Sequence, residues 1–408
     1  MSEYWDCIVV GGGAAGVFAA INCKEANPDL SVCVLEKAPR YLTKVGISGG
    51  GRCNVTHSCF DPRELVTRYP RGSRELRGPF SKWQPSDTMD WFESRGVELK
   101  TEGDGRIFPT TDDSQTIIDA LMRAARETGV SMFSKQSVRS IQRAEGTFSL
   151  ETKDKTYTAS KIMLATGSLK EGPLAKNLQD LGHSIQELAP SLFTFNIKDL
   201  RIKDLQGIAI EPTRVKIIGS KLENTGPVLI THWGLSGPGV LKLSAVAARE
   251  LQKRNYTFEV SLNWLAGQST QQVVDTLKSA RKQRARQQVG SHALFGLPQR
   301  FWDRLVQTAQ IRRDTVWSQL KADQEKALLR ELTEMVLPVT GKSMNKEEFV
   351  TCGGVTLKEV DFRKMESRIV PGLHFGGEVL DIDGVTGGFN LQNAWTTGRL
   401  AGLAMAEV

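Results

Sequence analysis

Near the start of the chain, apolar positions come in short unbroken runs rather than in alternation. CIVV at 7–10 leads into GGGAAG at 11–16 and then VFAAINCKEA, and a second run, SVCVL at 31–35, stops at Glu36. This order predicts a strand, a tight turn, a helix and a second strand. GISGGGRCN at 46–54 is too rich in glycine for an efficient helix or strand and is expected to be a close-approach loop. Farther on, Ile117, Ile118, Leu121 and Met122 supply the apolar face of a helix over 114–127, with Gly129 as its terminator. Residues 147–152 and 156–164 read as strands, the second ending in KIMLATG.

The pattern then changes. LFTFNI at 192–197, RVKII at 214–218, VLIT at 228–231 and TFEVSL at 257–262 alternate or are β-branched, and Gly and Pro separate them, which favours an antiparallel barrel or sandwich. Residues 271–290 are polar, basic and helix-compatible, and 316–337 place apolar residues at helical spacing. FVTCGGV at 349–355 and GLHFGGEVLDIDGVTGGFN at 372–390 return to the glycine-rich character of the opening, before a helix expected from about Leu391. The expected organisation is a discontinuous α/β domain of Rossmann type, 1–190 and 346–408, interrupted by an insertion. The insertion comprises a β-barrel-like substrate or cap domain, 191–265 and about 335–345, and a mainly helical subdomain, 266–334.

Composition narrows the class. With 408 residues the chain can bury substantial cores, and its six cysteines show neither a secreted disulfide framework nor a CxxC zinc pattern. No basic segment precedes the first apolar run and no stretch suits a bilayer, so neither a signal peptide nor a membrane span is expected, and a cytoplasmic location is. The formal charge of +7 permits polyanion contacts. The basic run KSARKQRAR at 278–286 has no interleaved aromatic residues and no RNA-binding module accompanies it, so it reads as a solvated helix and nucleic acid is not the expected partner.

The opening carries the clearest chemistry. Gly11 suits the turn after the strand, Gly13 the close approach of a pyrophosphate, and Gly16 the packing of the following helix. Glu36, twenty positions past Gly16 at the end of the second strand, suits ribose hydroxyls. This fingerprint does not separate FAD from NAD. Together with it, LEKAPRYLTKVGISGGGRCNVTH, GRIFPTTDDS, LATG, LAPSLFTF, THWGLSGPGVLKLS, VTCGGV and MESRIVPGLHFGGEVLDIDGVTGGFNLQNAWTTGRLAG resemble the HI0933-like, YhiN/BaiN-type family of FAD-dependent oxidoreductases over about residues 4–405.

That resemblance implies a glutathione-reductase-type FAD domain interrupted by a barrel and a helical region. It implies that Gly11, Gly13, Gly16 and Glu36 hold the adenosine diphosphate moiety with Lys37 nearby, and that Gly50, Arg52, Cys53 and Asn54 lie on the flavin side. Gly377, Glu378 and Asp381 would approach the pyrophosphate or ribityl chain, Gly388, Phe389 and Asn390 the isoalloxazine ring, and Val138 and Gly167 complete the set. Several of these have a plainer alternative: Asn390 as a helix N-cap, Phe389 as a core aromatic, Arg52 as a structural ion pair, Cys53 as simple packing. The loop after Gly167, with Ser168, Leu169 and Lys170, departs from the family's longer loop.

Cys53 and Cys59 are separated by five residues rather than the four of disulfide reductases, and the insertion lacks a second strand-turn-helix nucleotide motif. The histidines are dispersed without a metal-ligand pattern, so no metal is expected. His232, in THWGLSGP, is the first candidate proton donor, with Arg52 and Cys53 the other catalytic candidates. The resemblance implies reduction of an activated C=C bond by reduced FAD, with NAD(P)H as candidate transient donor. The small-molecule substrate is expected in a crevice between the FAD and inserted domains. Oxidation of an amine, alcohol or ring substrate, an RNA-modifying flavoprotein and a non-catalytic redox sensor are the alternatives, and nothing in the sequence sets an oligomeric state.

Overall fold

The computed structural model describes residues 3–169, 172–343 and 350–407. The chain forms two compact units, one of residues 1–189 and 346–408, the other of residues 190–345.

In the first unit the predicted strand, turn, helix and strand are β1 (Glu3–Val10), α1 (Ala14–Ala26) and β2 (Val32–Leu35). Helix α2 (Ser114–Glu127) leads to β3 (Ser131–Phe133), and β4 (Thr156–Leu164), β5 (Leu373–Phe375) and α3 (Phe389–Ala406) follow. The strand order β5-β4-β1-β2-β3 is parallel at every step, with Ile8 opposite Cys33 on one side and Ile162 on the other. Parallel strands covered on both faces bury every side chain, which is why the opening runs are continuously apolar. A hairpin, Ser140–Ala144 with Thr147–Glu151, pairs antiparallel with the first half of β4.

The C-terminal segment completes this sheet rather than forming a domain of its own, since it supplies β5 and the helix that covers α1. Gly398 and Gly402, one turn apart on α3, face the backbone of α1: a Cβ on them would lie 2.5 Å from the Ala15 carbonyl oxygen and 2.3 Å from that of Ala19. The two helices therefore touch backbone to backbone. Both are buried nearly all round, so neither shows a clean polar face. Beneath them Trp395 packs edge-on against Phe18 and Phe92, at 5.5 and 5.7 Å, and its Nε1–H donates to the Val55 carbonyl at 3.0 Å.

The second unit has an antiparallel ladder in the order Met335–Val339, Phe258–Asn263, Ala209–Ile217, Glu223–Ile230, Gly234–Ser236, Thr194–Asn196, Gly341–Ser343. The first and last of these are consecutive stretches of one segment, so the ladder returns to the segment on which it starts. Helices Thr270–Gln283, Gln299–Thr308 and Ala322–Thr333 share one apolar core with this ladder, centred on Trp264, Phe301, Trp302 and Trp317. The helical subdomain expected over 266–334 is thus packed into the ladder's own unit. The helical spacing read over 316–337 ends at Thr333, and Met335–Val339, within the stretch assigned to the barrel-like domain, is a strand paired with Phe258–Asn263.

Candidate cofactor site

The chain leaves β1 through Gly11, whose φ of +112° and approach to the Ala165 carbonyl, 2.4 Å from a would-be Cβ, exclude a side chain. Gly16 is equally closed, since a Cβ there would lie 2.0 Å from the Gly11 oxygen. Gly13 differs from both. It is the N-cap of α1, extended in backbone and without a side-chain cap, and a Cβ there would meet nothing within 4 Å. The positive end of a buried helix thus opens on space that a phosphate can enter.

Glu36 faces the same turn. Its Oε2 accepts from the Gly12 N–H and its Oε1 from the Ala38 N–H, each at 2.7 Å, which fixes the carboxylate while leaving lone pairs for hydroxyl donors. Backbone bonds from Glu36 to Phe133 and from Gln136 to Glu36 hold the neighbouring segment, on which Val138 is buried. Lys37 is exposed. Close to Gly11, the Thr166 hydroxyl is buried with no hydrogen-bond partner, an unsatisfied group of the kind that a bound polar ligand would complete.

The returning segment meets this turn. Gly377 donates its N–H to Thr397 Oγ1 at 2.9 Å and packs on Ala15, 3.1 Å from its would-be Cβ. Glu378 accepts from the Thr351 N–H at 2.9 Å and pairs with Lys44 at 2.5 Å, and a Cβ on Gly167 would lie 3.7 Å from the Glu378 Oε2. Asp381 accepts from the Gly353 N–H at 3.0 Å, and the fully buried Asp383 forms a two-pronged ion pair with Arg71. Ser168 bonds Thr351 Oγ1 at 2.8 Å; Lys170, the last of the departing loop residues noted above, lies outside the described residues.

The segments expected around the ring also meet. Gly50, with φ +71°, has open space at its Cα. The Asn54 amide, oriented to satisfy both neighbours, donates to the Thr56 carbonyl at 3.0 Å and accepts from the Gly388 N–H at 2.9 Å. Gly388, φ +90°, is the N-cap of α3 and provides no side-chain cap.

Several individual roles change. Phe389 is buried and stacks on His57 at 4.8 Å, a core contact rather than an open face. Asn390 donates to the Gly384 carbonyl and accepts from its N–H, at 2.9 and 2.8 Å, so it clamps the preceding loop and is not the N-cap. Arg52 is bound by Glu102 at 2.7 Å and Asp112 at 3.3 Å above the Phe108 ring, and these carboxylates hold its guanidinium above its usual range. Its charge is already matched. Cys53 is 0% exposed and burial pushes its thiol up to about 12, which disfavours the thiolate that a nucleophile needs.

Cys59 is buried and likewise raised, and all six cysteines are free. His232 is exposed, on a bend of the second unit. His374 is buried on β5 and held near 4, and His183 bridges Glu359 and Ser367. Among the described residues no group could hold a metal and no helix is long and apolar enough to cross a membrane.

Lys44, Arg71, Asp383 and Thr397 were not singled out in the sequence. Only the Gly398–Gly402 spacing carried a local signal, two small residues one helical turn apart; the others are defined by partners distant in the chain.

The fold and the cradle define a Rossmann-type dinucleotide-binding protein whose C-terminus completes its own N-terminal sheet. The chain belongs to the HI0933-like family: the family's model, HI0933-like protein Rossmann domain, matches residues 5–404, as the sequence blocks indicated. It is 27% identical over 419 residues to the 3-dehydro-bile acid delta(4,6)-reductase of Clostridium scindens, covering 98% of each chain. It is 29% identical over 404 residues to the ribosomal RNA dihydrouridine synthase of Escherichia coli, covering 97% of this chain and 96% of that one. In fold it is similar to the 3-ketosteroid delta1-dehydrogenase of Sterolibacterium denitrificans, with a TM-score of 0.54 at 12% identity over 99% of this chain and 100% of that one.

Proposed function

We propose that this FAD-dependent oxidoreductase reduces a carbon–carbon double bond conjugated to a carbonyl group. The observation that carries the cofactor assignment is the junction of the two chain ends, Gly377 on Ala15 with the unfilled space at Gly13 beside it in sequence. The names of the two full-length relatives support the reaction class. A 3-keto group conjugated with ring double bonds, and the C5=C6 bond of uridine conjugated with its C4 carbonyl, are unlike molecules with one kind of reacting bond.

Bound FAD supplies a hydride at N5. The residues present fit such a group. Glu36 would accept from ribose hydroxyls, and the first turn of α1 would hold the diphosphate at Gly13. Lys44, Glu378 and Gly377 would hold the linker, with the Thr166 hydroxyl as a further donor. The uncapped N-terminus of α3 at Gly388 would offer N–H groups to the negative charge of a reduced flavin ring held there. The inserted unit, read as a barrel with attached helices, selects the substrate.

The test is denaturing release of the cofactor, followed by its spectrum and mass, and anaerobic titration of the holoprotein with NADH and NADPH. The expected result is bleaching of the flavin band by one donor and its recovery on adding a conjugated enone or a uridine-containing acceptor. Flavin that, once reduced, is reoxidised by no conjugated acceptor would overturn the reaction class. Between the two acceptor types, the charge distribution favours the second. Residues 190–345 hold 23 Lys and Arg against 13 Asp and Glu, a net +10, so the remainder is −3 within a total of +7.

A further inference from the structure

We infer that the helical part of the inserted unit carries a docking face for the phosphate backbone of RNA. The inference rests on the reading of a uridine-containing acceptor just given and deepens it by locating the partner's surface. Its first observation is the charge partition: the whole positive excess of the chain lies in one compact unit, while the dinucleotide-binding unit is slightly acidic. A dinucleotide therefore does not account for the positive balance.

The second observation is where those charges sit. Lys278 and Lys282 are exposed one turn apart on helix Thr270–Gln283, and Arg286 is exposed just beyond its end. The segment that follows runs beside residues 315–318, through hydrogen bonds from Val289 N to Thr315 O, Trp317 N to Gln287 O and Ser318 N to Ala285 O. Arg284 and Arg286 thus lie on a segment that adjoins the one carrying Arg313 and Lys321. The neighbouring cations Arg281 and Arg312 are engaged by Glu325 and Asp314, whereas Lys278, Lys282, Arg284, Arg286, Arg313 and Lys321 have no carboxylate partner among the described residues. Six cations on adjoining segments with no carboxylate partner sum to a positive field that attracts a polyanion.

The face also lacks what a membrane would need. Among the described residues the exposed large apolar side chains, Leu200, Trp233 and Val336 among them, all fall outside 270–330, so no side chain of that kind is placed there to enter a lipid layer. Phosphate contacts of this type give affinity and register without reading sequence, which suits a protein whose specificity resides elsewhere.

The test uses the full-length holoprotein and a fluorescein-labelled uridine oligonucleotide of about 20 residues, with binding followed by anisotropy across a salt series; each lost phosphate contact lowers the slope of log K against log salt by about 0.7 for a single strand. The triple variant Lys278→Gln, Lys282→Gln, Arg286→Gln is expected to bind at least about tenfold more weakly at moderate salt, with a slope smaller by about 2. Its flavin spectrum and donor-driven bleaching are expected to match those of the parent. Undiminished affinity in the triple variant, no RNA binding by the parent, or binding instead to vesicles of phosphatidylcholine with phosphatidylserine would each overturn the inference. Binding needs no electron donor, so it is scored separately from turnover: RNA binding with no reoxidation by any conjugated acceptor would sink the reaction class and leave the docking face standing.

Discussion

Replacing Gly13 by Ala separates the fold from the cofactor site. Gly13 has φ −86° and ψ −169°, open to any residue, and its added Cβ meets nothing within 4 Å. For the apoprotein two small terms oppose each other: Ala is a poorer N-cap than Gly by roughly 0.5–1 kcal/mol, and it stabilises by about 0.4–1 kcal/mol through the lower entropy of the unfolded chain. Apo stability is therefore expected to stay within about 0.5 kcal/mol of the parent. The same methyl group occupies the space through which the diphosphate approaches, and overpacking of a close contact costs roughly 1–3 kcal/mol, so FAD affinity is expected to fall about 5- to 150-fold. Gly16→Ala provides the contrast. Its Cβ would lie 2.0 Å from the Gly11 oxygen, so it should lower apo stability directly. Urea unfolding of apoprotein, paired with FAD binding followed by quenching of flavin fluorescence, measures both. Unchanged FAD affinity in Gly13→Ala, or a loss of stability as large as that in Gly16→Ala, would refute the reasoning.

Three further outcomes follow from the same geometry. Gly402→Ala would place a Cβ 2.3 Å from the Ala19 oxygen; despite the better helix propensity of Ala, worth about 1 kcal/mol, α1 and α3 must separate, so a lower urea midpoint and weaker FAD retention are expected together. His374 is buried and held near 4 against 6.5 in the unfolded chain. The unfolded state therefore binds the extra proton between these values, and the His374 contribution, about 3 kcal/mol, is present above pH 6.5 and lost as pH falls toward 4; a His374→Asn variant should show a shallower loss of stability between pH 7 and 5. Cys53, pushed up to about 12, is thiolate at pH 8 to only about one part in ten thousand, so iodoacetamide should modify it in urea and not in the native protein, as peptide mass mapping would reveal.

What the sequence made legible, and what it did not, follows from the range of the forces involved. The opening strand, turn, helix and strand, and the helix over 114–127, were legible because burial of parallel strands and one-sided packing of a helix leave local periodicities. The end of the helical spacing over 316–337 is blurred in the sequence, because the strand Met335–Val339, in which buried Met335, Leu337 and Val339 alternate with exposed Val336 and Pro338, follows directly on the helix that ends at Thr333. At the site, Gly11, Gly13, Gly16 and Glu36 stood out because their roles depend on the turn itself. The roles of Arg52, Phe389 and Asn390 rest on the family resemblance alone, and their environments come from Glu102, His57 and Gly384, which the sequence does not place. Arg71 and Asp383 lie 312 positions apart and gave no signal at all.

The central claim is that the opening turn and the returning C-terminal segment hold one dinucleotide together. Hydrogen exchange on apoprotein before and after addition of FAD tests it most directly. The account predicts increased protection, with the same FAD dependence, at residues 11–17, at 377–381 and at the start of α3 near 389–392. Protection confined to one of these ends, or none at saturating FAD in a folded preparation, would contradict it.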